Sequence, residues 1–157
     1  MVRLAATIPP HPGGHAPDGG AGAPRGVAAA DVRRYDARME KVNLAEKLAS
    51  FTDHWNPRVL AELNGQHVKV VKFVGAFTWH FHALEDEMFL VLRGSFEMQF
   101  RDKAVDLQEG EFIVVPRGVE HRPVAEREVE VLLFEPASTL NTGNVVEART
   151  VAEPERI

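Results

Sequence analysis

The sequence between residues 79 and 87 reads Trp79-His80-Phe81-His82-Ala83-Leu84-Glu85-Asp86-Glu87. In a β-strand, alternate side chains point to the same face, so His80 and His82 would project together with their Cα atoms about 6.5–7 Å apart. Two imidazoles at that spacing can bind one metal ion. Trp79 and Phe81 would face the opposite side and pack there.

A carboxylate and a third histidine lie within reach of this pair. Glu87 begins the next apolar segment, and antiparallel pairing of that segment would return its carboxylate to the two imidazoles. Glu85 and Asp86 compete for the same role, or they form a solvated acidic turn. A fourth ligand is available from His121, which follows the turn Pro116-Arg117-Gly118.

The chain beyond residue 58 consists of short apolar segments separated by turn signals, a pattern typical of an all-β sandwich or barrel. Asn64-Gly65 is a strong signal for a two-residue hairpin turn. The segments predicted as strands are 58–63, 67–74, 77–82, 87–93, 95–101, 104–107, 111–115, 119–125 and 129–135.

A short helix is predicted at about 43–51, before the first strand. Asn43 and Glu46 match a capping box, and Leu44, Leu48 and Phe51 fall on one helical face. We therefore expect this helix to pack on the outside of the β-domain.

Composition limits the classes of protein that this chain can represent. Its 157 residues suffice for one domain, and 45% apolar with 26% charged residues is typical of a soluble globular protein. The absence of cysteine excludes disulfide scaffolds, thiolate metal sites and cysteine nucleophiles. The net charge of -5 argues against nucleic-acid binding, and no apolar run reaches the roughly 20 residues of a membrane helix.

Residues 1–38 differ from the rest in composition. Six of the 12 glycines and five of the 10 prolines fall within residues 1–26, so we predict a disordered extension. Five basic and three acidic groups give residues 1–38 a charge of +2, whereas 13 basic and 20 acidic groups give 39–157 a charge of -7. Residues 39–157 are therefore predicted as the single folded domain, with Met39 a candidate for the true start.

The histidines outside the motif are predicted to have no functional role. His11 and His15 lie in the extension, and isolated histidines in such segments bind metals only weakly. His54 and His67 lack any ligand spacing and are interpreted as ordinary surface residues.

Residues 75–125 resemble the cupin family in both of its motifs. The first motif is Gly, His-x-His, three or four residues, Glu, six residues and Gly, and it is matched by Gly75, His80-Phe81-His82, Glu87 and Gly94. The second motif is Gly, five residues, Pro-x-Gly, two residues, His, three residues and Asn, and it is matched by Gly110, Pro116-Arg117-Gly118 and His121. Four residues rather than five separate Gly75 from His80, and Ala125 replaces the Asn; neither departure touches a ligand position.

The resemblance implies a double-stranded β-helix, a barrel of jelly-roll type, that holds one divalent metal ion through His80, His82, Glu87 and His121. Four nitrogen and oxygen ligands leave one or two open positions on octahedral Fe(II), Mn(II), Ni(II) or Co(II), whereas Zn(II) is satisfied by four. The sequence assigns no catalytic residue, and its one tyrosine, Tyr35, lies in the extension.

Two functions are compatible with such a site. An open metal position can polarise a substrate oxygen, so the first is a metalloenzyme with isomerase-, lyase- or dioxygenase-like chemistry on a small oxygen-bearing metabolite. The second is a non-enzymatic cupin that binds a small ligand or a metal. The chain resembles small single-domain bacterial cupins often labelled mannose-6-phosphate isomerase-like. A cupin that isomerises a phosphorylated sugar would need a basic side chain inside the barrel to hold the phosphate, and Lys69 or Lys72 is the candidate. A strand lysine more often points to solvent.

Residues in phase with the ligands predict a mostly apolar pocket suited to a small organic molecule. They are Thr78, Phe89, Val91, Val119 and Pro123. The polar segment 135–143 either covers the barrel mouth or runs over the surface.

The resemblance also implies a homodimer that pairs through the barrel exterior. The phase containing Trp79, Phe81, Met88 and Leu90 either forms that surface or packs between the two sheets. No nucleic-acid or membrane partner is expected. Because no signal peptide, membrane segment or cysteine is present, a cytoplasmic location is the default expectation.

Overall fold

The computed structural model describes residues 40–157. This part of the chain contains one short helix followed by seven strands. Their bounds are α1 Leu44–Ala49, β1 Arg58–Leu63, β2 Gln66–Ala76, β3 Glu87–Arg93, β4 Ser95–Phe100, β5 Ala104–Gln108, β6 Phe112–Val115 and β7 His121–Pro136. The expected extension over residues 1–38 and the expected start at Met39 lie outside the described residues.

Strand β7 connects the two layers of the fold. Its first four residues pair with β4, with His121 opposite Phe100 and Val124 opposite Glu97. Its later residues lie between β2 and β3, in the order β1-β2-β7-β3-β6, and β5 pairs with β4. All these pairings are antiparallel. The result is the predicted all-β jelly-roll architecture.

The core lies between these two layers, and strand alternation determines which side chains enter it. Along β3, Phe89 and Val91 are buried, while Met88 and Leu90 point to the outer face and are half-buried. Phe96 and Met98 of β4 meet them from the other layer. Glu87, the predicted metal ligand on β3, therefore has the core-facing phase of the strand.

Helix α1 begins where the sequence predicted. The Asn43 side chain accepts hydrogen bonds from the backbone N–H groups of Ala45 and Glu46, and its amide donates to the Glu46 carboxylate at 2.9 Å. Leu48, together with Phe51 just after the helix, packs against Val70 of β2. Because Val70 alternates with the core-facing Val71, the helix covers the outer face of the sheet, as expected.

The hairpin prediction is confirmed in detail. Leu63 pairs with Gln66, and Asn64 and Gly65 between them have positive φ angles of 51° and 76°. This combination is the type I′ turn that matches strand twist.

Two strand predictions are wrong. Residues 77–82 do not form a strand. An isolated bridge between His80 and His121, and a hydrogen bond from the Phe77 N–H to the Pro123 carbonyl oxygen, join them to β7. The segments 119–125 and 129–135 are parts of the single strand β7, which continues through the exposed residues 126–128. In both cases the outcome depends on which distant backbone groups are available for hydrogen bonding. Among residues 40–157, no helix is long and apolar enough to cross a membrane.

Candidate metal centre

The structure brings together the four side chains that the motifs singled out. His80 and His82 lie on the extended segment between β2 and β3, Glu87 is the first residue of β3, and His121 is the first residue of β7. Their ligand atoms all lie within 4.8 Å of one another, and none of the four residues is more than 4% exposed. The four residues form a compact, buried cluster that could bind a metal ion.

Backbone carbonyl groups set the orientation of two of the imidazoles. Nδ1 of His80 donates to the carbonyl oxygen of Thr78 at 3.1 Å, and Nδ1 of His121 donates to that of Val119 at 2.9 Å. Because Nδ1 carries the proton in each ring, Nε2 keeps its lone pair for a ligand in the centre.

Three donor atoms in the centre have no hydrogen-bond partner among residues 40–157. They are Nε2 of His82, Nε2 of His121 and Oε2 of Glu87, all fully buried. Oε2 of Glu87 lies 3.1 Å from the His82 nitrogen and 3.5 Å from the His121 nitrogen. Since buried polar atoms are almost always satisfied in native proteins, this donor set fits a divalent cation.

The electrostatics favour the ligand forms of two of these groups. Burial by itself raises the pKa of the Glu87 carboxyl, but the neighbouring His121 and His82 outweigh it and hold that pKa well below its usual value. Burial, assisted by His121, lowers the pKa of His80 to about 4. At neutral pH Glu87 is therefore ionised and His80 is neutral, which are the states that bind a metal ion.

Comparison with known proteins agrees with this geometry. Residues 69–135 match the model of the cupin domain. A crystal structure of a cupin-2 domain containing protein from Shewanella frigidimarina is 42% identical, covering 64% of this chain and 97% of that one, with a TM-score of 0.61. The chain belongs to the cupin family.

Two further proteins are similar to this cupin. A protein from Neisseria meningitidis of known crystal structure is 31% identical, covering 62% of this chain and all of that one, with a TM-score of 0.58. The uncharacterized protein YdbB of Bacillus subtilis is 33% identical over 78 residues, which is 49% of this chain. That match spans 63% of the Bacillus protein's own length.

The two competing carboxylates do not join the cluster. Glu85 accepts a hydrogen bond from the Ser138 hydroxyl at 3.0 Å. Asp86 accepts from the backbone N–H of Arg117 at 2.9 Å and forms an ion pair with its guanidinium at 3.1 Å. Both carboxylates therefore make contacts at the surface of the turn before β3.

A cavity of about 40 Å³ adjoins the centre. His80 and Glu87 line it from the ligand side. The other lining residues are Trp55, Pro57, Val71, Phe73, Phe77, Phe89, Pro123, Leu133 and Asn141. Of the residues predicted to line a pocket, Phe89 and Pro123 do so, whereas Val91 packs in the core and Val119 is 36% exposed. Thr78 contributes its carbonyl group to His80.

Both lysines considered for phosphate binding are buried, contrary to the expectation of a solvated strand lysine. Lys69 points into the barrel, where its ammonium lies 2.7 Å from Glu135 and 3.5 Å from the carbonyl oxygen of Thr139. Lys72 points the opposite way and lies against the Phe51 ring, 3.6 Å from Glu130. Strand β2 is flanked by β1 and β7, so neither lysine lies at an edge.

The two remaining described histidines lie outside the centre, as expected, but only one is exposed. His54 bonds to Glu128 at 2.7 Å near the surface. His67 was expected at the surface and is instead only 9% exposed, with Nε2 3.6 Å from Glu62. Its position in β2, opposite Glu135 of β7, explains this burial.

Sequence reasoning missed Glu135 and Trp55. Glu135 is 1% exposed and has the core-facing phase of Val131 and Leu133, a signal present in the sequence. Burial and the charge of Glu87 raise the pKa of Glu135 well above its usual value, against the opposing effect of Lys69. Trp55 lines the cavity and stacks on Phe73 with ring centroids 4.6 Å apart. No local pattern indicates that role, because Trp55 precedes the first strand.

Proposed function

We propose that this cupin is a metal-dependent enzyme that acts on a small, oxygen-bearing molecule in the barrel. The observation that carries the proposal is the convergence of three buried, unpartnered donor atoms on His82, Glu87 and His121. A bound divalent ion would act as a Lewis acid on a carbonyl, hydroxyl or carboxylate oxygen of the substrate. Fe, Mn, Ni, Co and Zn are all compatible with this donor set.

The cavity supports a small and mainly apolar substrate. Trp55 and Phe77 stack with ring centroids 4.7 Å apart and, with Phe89, form its aromatic wall. His80 and Glu87 belong to both the cavity and the metal centre, so a molecule in the cavity lies next to the ligand atoms. In the part of the chain that the structure describes, no lysine or arginine lines it, and the interior Lys69 already pairs with Glu135. This favours an uncharged carbonyl or hydroxyl compound over a phosphorylated sugar.

Elemental mass spectrometry on protein purified without a histidine tag tests the metal centre. We expect about one equivalent of a transition metal in the wild type and none in a His80→Ala/His82→Ala variant. A His54→Ala variant is the control, because His54 lies outside the centre. Protein that is metal-free and fails to take up added Mn²⁺, Co²⁺ or Zn²⁺ would contradict the proposal.

A second candidate is a cupin that binds a small molecule without converting it. The lining of the cavity favours it, since its only titratable side chains among the described residues are His80 and Glu87, both part of the proposed metal centre. The two functions separate when metal-loaded protein is incubated with small carbonyl and hydroxy compounds, with and without O₂. Product formation that is lost in the His80→Ala/His82→Ala variant supports the enzyme, whereas saturable binding without product supports the binding module.

We also propose that the protein is a homodimer that pairs through the outer face of the sheet. Two apolar rows cross this face: Val114, Met88 and Phe134 in one, and Phe112, Leu90 and Leu132 in the other. Phe112 and Val114, on strand β6 at the end of the sheet order, are 64% and 50% exposed. A second copy, related by two-fold symmetry, would cover both rows.

Sedimentation equilibrium tests this assembly. We expect a dimer for the wild type and a monomer for Phe112→Glu. The control Leu84→Glu should remain a dimer, because Leu84, 74% exposed in the turn before β3, belongs to neither apolar row. A wild-type protein that remains monomeric at high concentration would rule out this pairing. Cytoplasmic residence remains a prediction as well, which cell fractionation checks.

A further inference from the structure

The segment that carries His80 and His82 is held by backbone hydrogen bonds from two sources. Strand β7 bonds to Phe77 and His80, and residues outside the sheet bond to Phe81 and His82. Phe81 lies between the two histidines, and both of its backbone polar groups bind Asn144. Its N–H donates to Oδ1 of Asn144 at 2.9 Å, and its carbonyl oxygen accepts from the Asn144 N–H at 3.1 Å. One residue near the C-terminus thus takes the place of a neighbouring strand.

The close approach of the chain at Gly143 to the backbone of Phe81 leaves no room for a side chain at position 143. The φ angle of Gly143 is +52°, and a Cβ atom there would overlap the carbonyl oxygen of Phe81 and lie 2.9 Å from the carbonyl carbon. The same atom would lie 3.3 Å from Cδ2 of His80. Any side chain at position 143 must therefore push the histidine segment away.

Residues 140–151, here called the C-terminal loop, are held in shape by their own contacts. The Asn141 side chain accepts from the Val151 N–H and donates to the Arg149 carbonyl group, both at 2.8 Å. Thr142 is fully buried, and its hydroxyl lies 2.8 Å from that of Thr150. The loop is therefore cross-linked at its base on both sides of Asn144.

Arg149 joins the same loop to the start of the histidine segment. Its guanidinium donates to the carbonyl oxygen of Ala76 at 3.1 Å and lies 4.6 Å from the centroid of the Phe77 ring. On the other side, the carbonyl oxygen of His82 accepts from the Gly118 N–H at 2.7 Å. The C-terminal loop thus contacts this segment at Ala76, Phe77 and Phe81, immediately around His80.

We infer that the C-terminal loop positions the metal ligands, with Gly143 and Asn144 as positioning residues for His80 and His82. The inference rests on the proposed metal centre. The loop contributes no ligand to the cluster; it acts by holding the backbone from which two ligands project. Contacts that orient metal ligands commonly change metal affinity by about 10–100-fold when they are removed.

Titration of the full-length, metal-stripped protein with Co²⁺, followed by visible absorption, tests this role. We expect Asn144→Ala and Gly143→Ala to weaken Co²⁺ binding at least tenfold and to alter the absorption bands, which report ligand geometry. Asn144→Asp keeps the acceptor oxygen for the Phe81 N–H and should restore affinity to near the wild-type value. Gly65→Ala is the matched control, because Gly65 also has a positive φ of +76° but open space around its Cα.

The possible results separate the two proposals. If the wild type binds Co²⁺ and both loop variants, shown to be folded by circular dichroism, bind it equally well with unchanged spectra, the positioning role is wrong and the metal centre stands. If Gly65→Ala weakens binding as much as Gly143→Ala, backbone strain explains the effect and the positioning role is again wrong. If the wild type itself binds no Co²⁺, both proposals fail.

Discussion

The four residues of the centre are polar or charged and buried, and this combination lowers the stability of the metal-free protein. Glu87 and three histidines share a buried site, and three of their donor atoms have no partner within residues 40–157. Such groups cost free energy unless a ligand satisfies them. The unpartnered groups therefore lower the free energy of unfolding of the metal-free protein, and metal binding would remove this cost.

His80 should make the stability of the metal-free protein depend on pH. Its pKa is about 4 in the folded state and about 6.5 in the unfolded chain, so the unfolded state binds more protons between these values. Stability should therefore fall as the pH decreases from 6.5 to 4, by roughly 3 kcal/mol. Urea unfolding of chelator-treated protein across this range measures the change. A His80→Gln variant should show a flatter profile; an identical profile would contradict the assignment.

Replacing only one member of the Lys69–Glu135 ion pair should destabilise the protein much more than replacing both. Both side chains are 1% exposed, so Lys69→Met leaves the Glu135 carboxyl without its partner and should cost about 3–5 kcal/mol. The double variant Lys69→Met/Glu135→Gln removes both charges and should recover most of that loss. Guanidinium unfolding of the two variants at pH 8 compares them. Equal destabilisation of the single and double variants would show that packing, not charge, dominates.

At the scale of elements, the helix and the long strand have different tasks. Helix α1 packs through Leu48, with Phe51 beyond its C-terminus, on the outer face of β2, remote from the core-facing phase that carries Glu87. Strand β7 carries His121 at one end and Glu135 near the other, and it belongs to both layers. Helix α1 therefore serves stability, and β7 serves stability and the site together.

Leu48→Ala should separate these tasks. Removal of this buried side chain should destabilise the protein by about 2–4 kcal/mol, because it leaves a cavity under the helix. Co²⁺ affinity should change less than twofold, since no ligand lies on α1 or on the outer face of β2. Urea unfolding and Co²⁺ titration on the same samples give both values. A large loss of affinity would mean that α1 is coupled to the centre.

At the scale of the whole molecule, the proposed metal site would connect parts of the chain that are far apart in sequence. His80, Glu87 and His121 come from the segment before β3, from β3 itself and from β7. A metal ion that links these elements would bind only the folded state, so its binding free energy would add to the free energy of unfolding.

Metal removal should therefore lower the melting temperature. At a free metal concentration of 100 times Kd, one site stabilises the folded state by about 2.7 kcal/mol, a shift of several degrees for a domain of this size. Calorimetry with and without chelator measures it. The His80→Ala/His82→Ala variant should show no shift; a shift of equal size there would place the metal elsewhere.

Local periodicity and spacing were sufficient to predict much of this protein from its sequence. Alternating apolar residues identify strands such as β3 to the residue, Asn43 and Glu46 identify the helix start, and Asn64-Gly65 identifies the turn. The two motifs also select the four residues that meet in the centre. The strands, the helix start and the turn depend on interactions between neighbours in the chain, whereas the set of four residues followed from the resemblance to the cupin motifs.

Tertiary structure alone decided the features that depend on distant partners. Residues 77–82 have a strand-like pattern, yet β7 bonds only to Phe77 and His80 of this segment. Asn144 and Gly118 supply the backbone hydrogen bonds of Phe81 and His82 instead. Histidines and lysines on a strand usually face solvent, yet His67, Lys69 and Lys72 are buried. They lie on β2, which β1 and β7 flank on both sides. The partner of a backbone or charged group more than 60 residues away is set by the packing of the whole chain, which no local pattern contains.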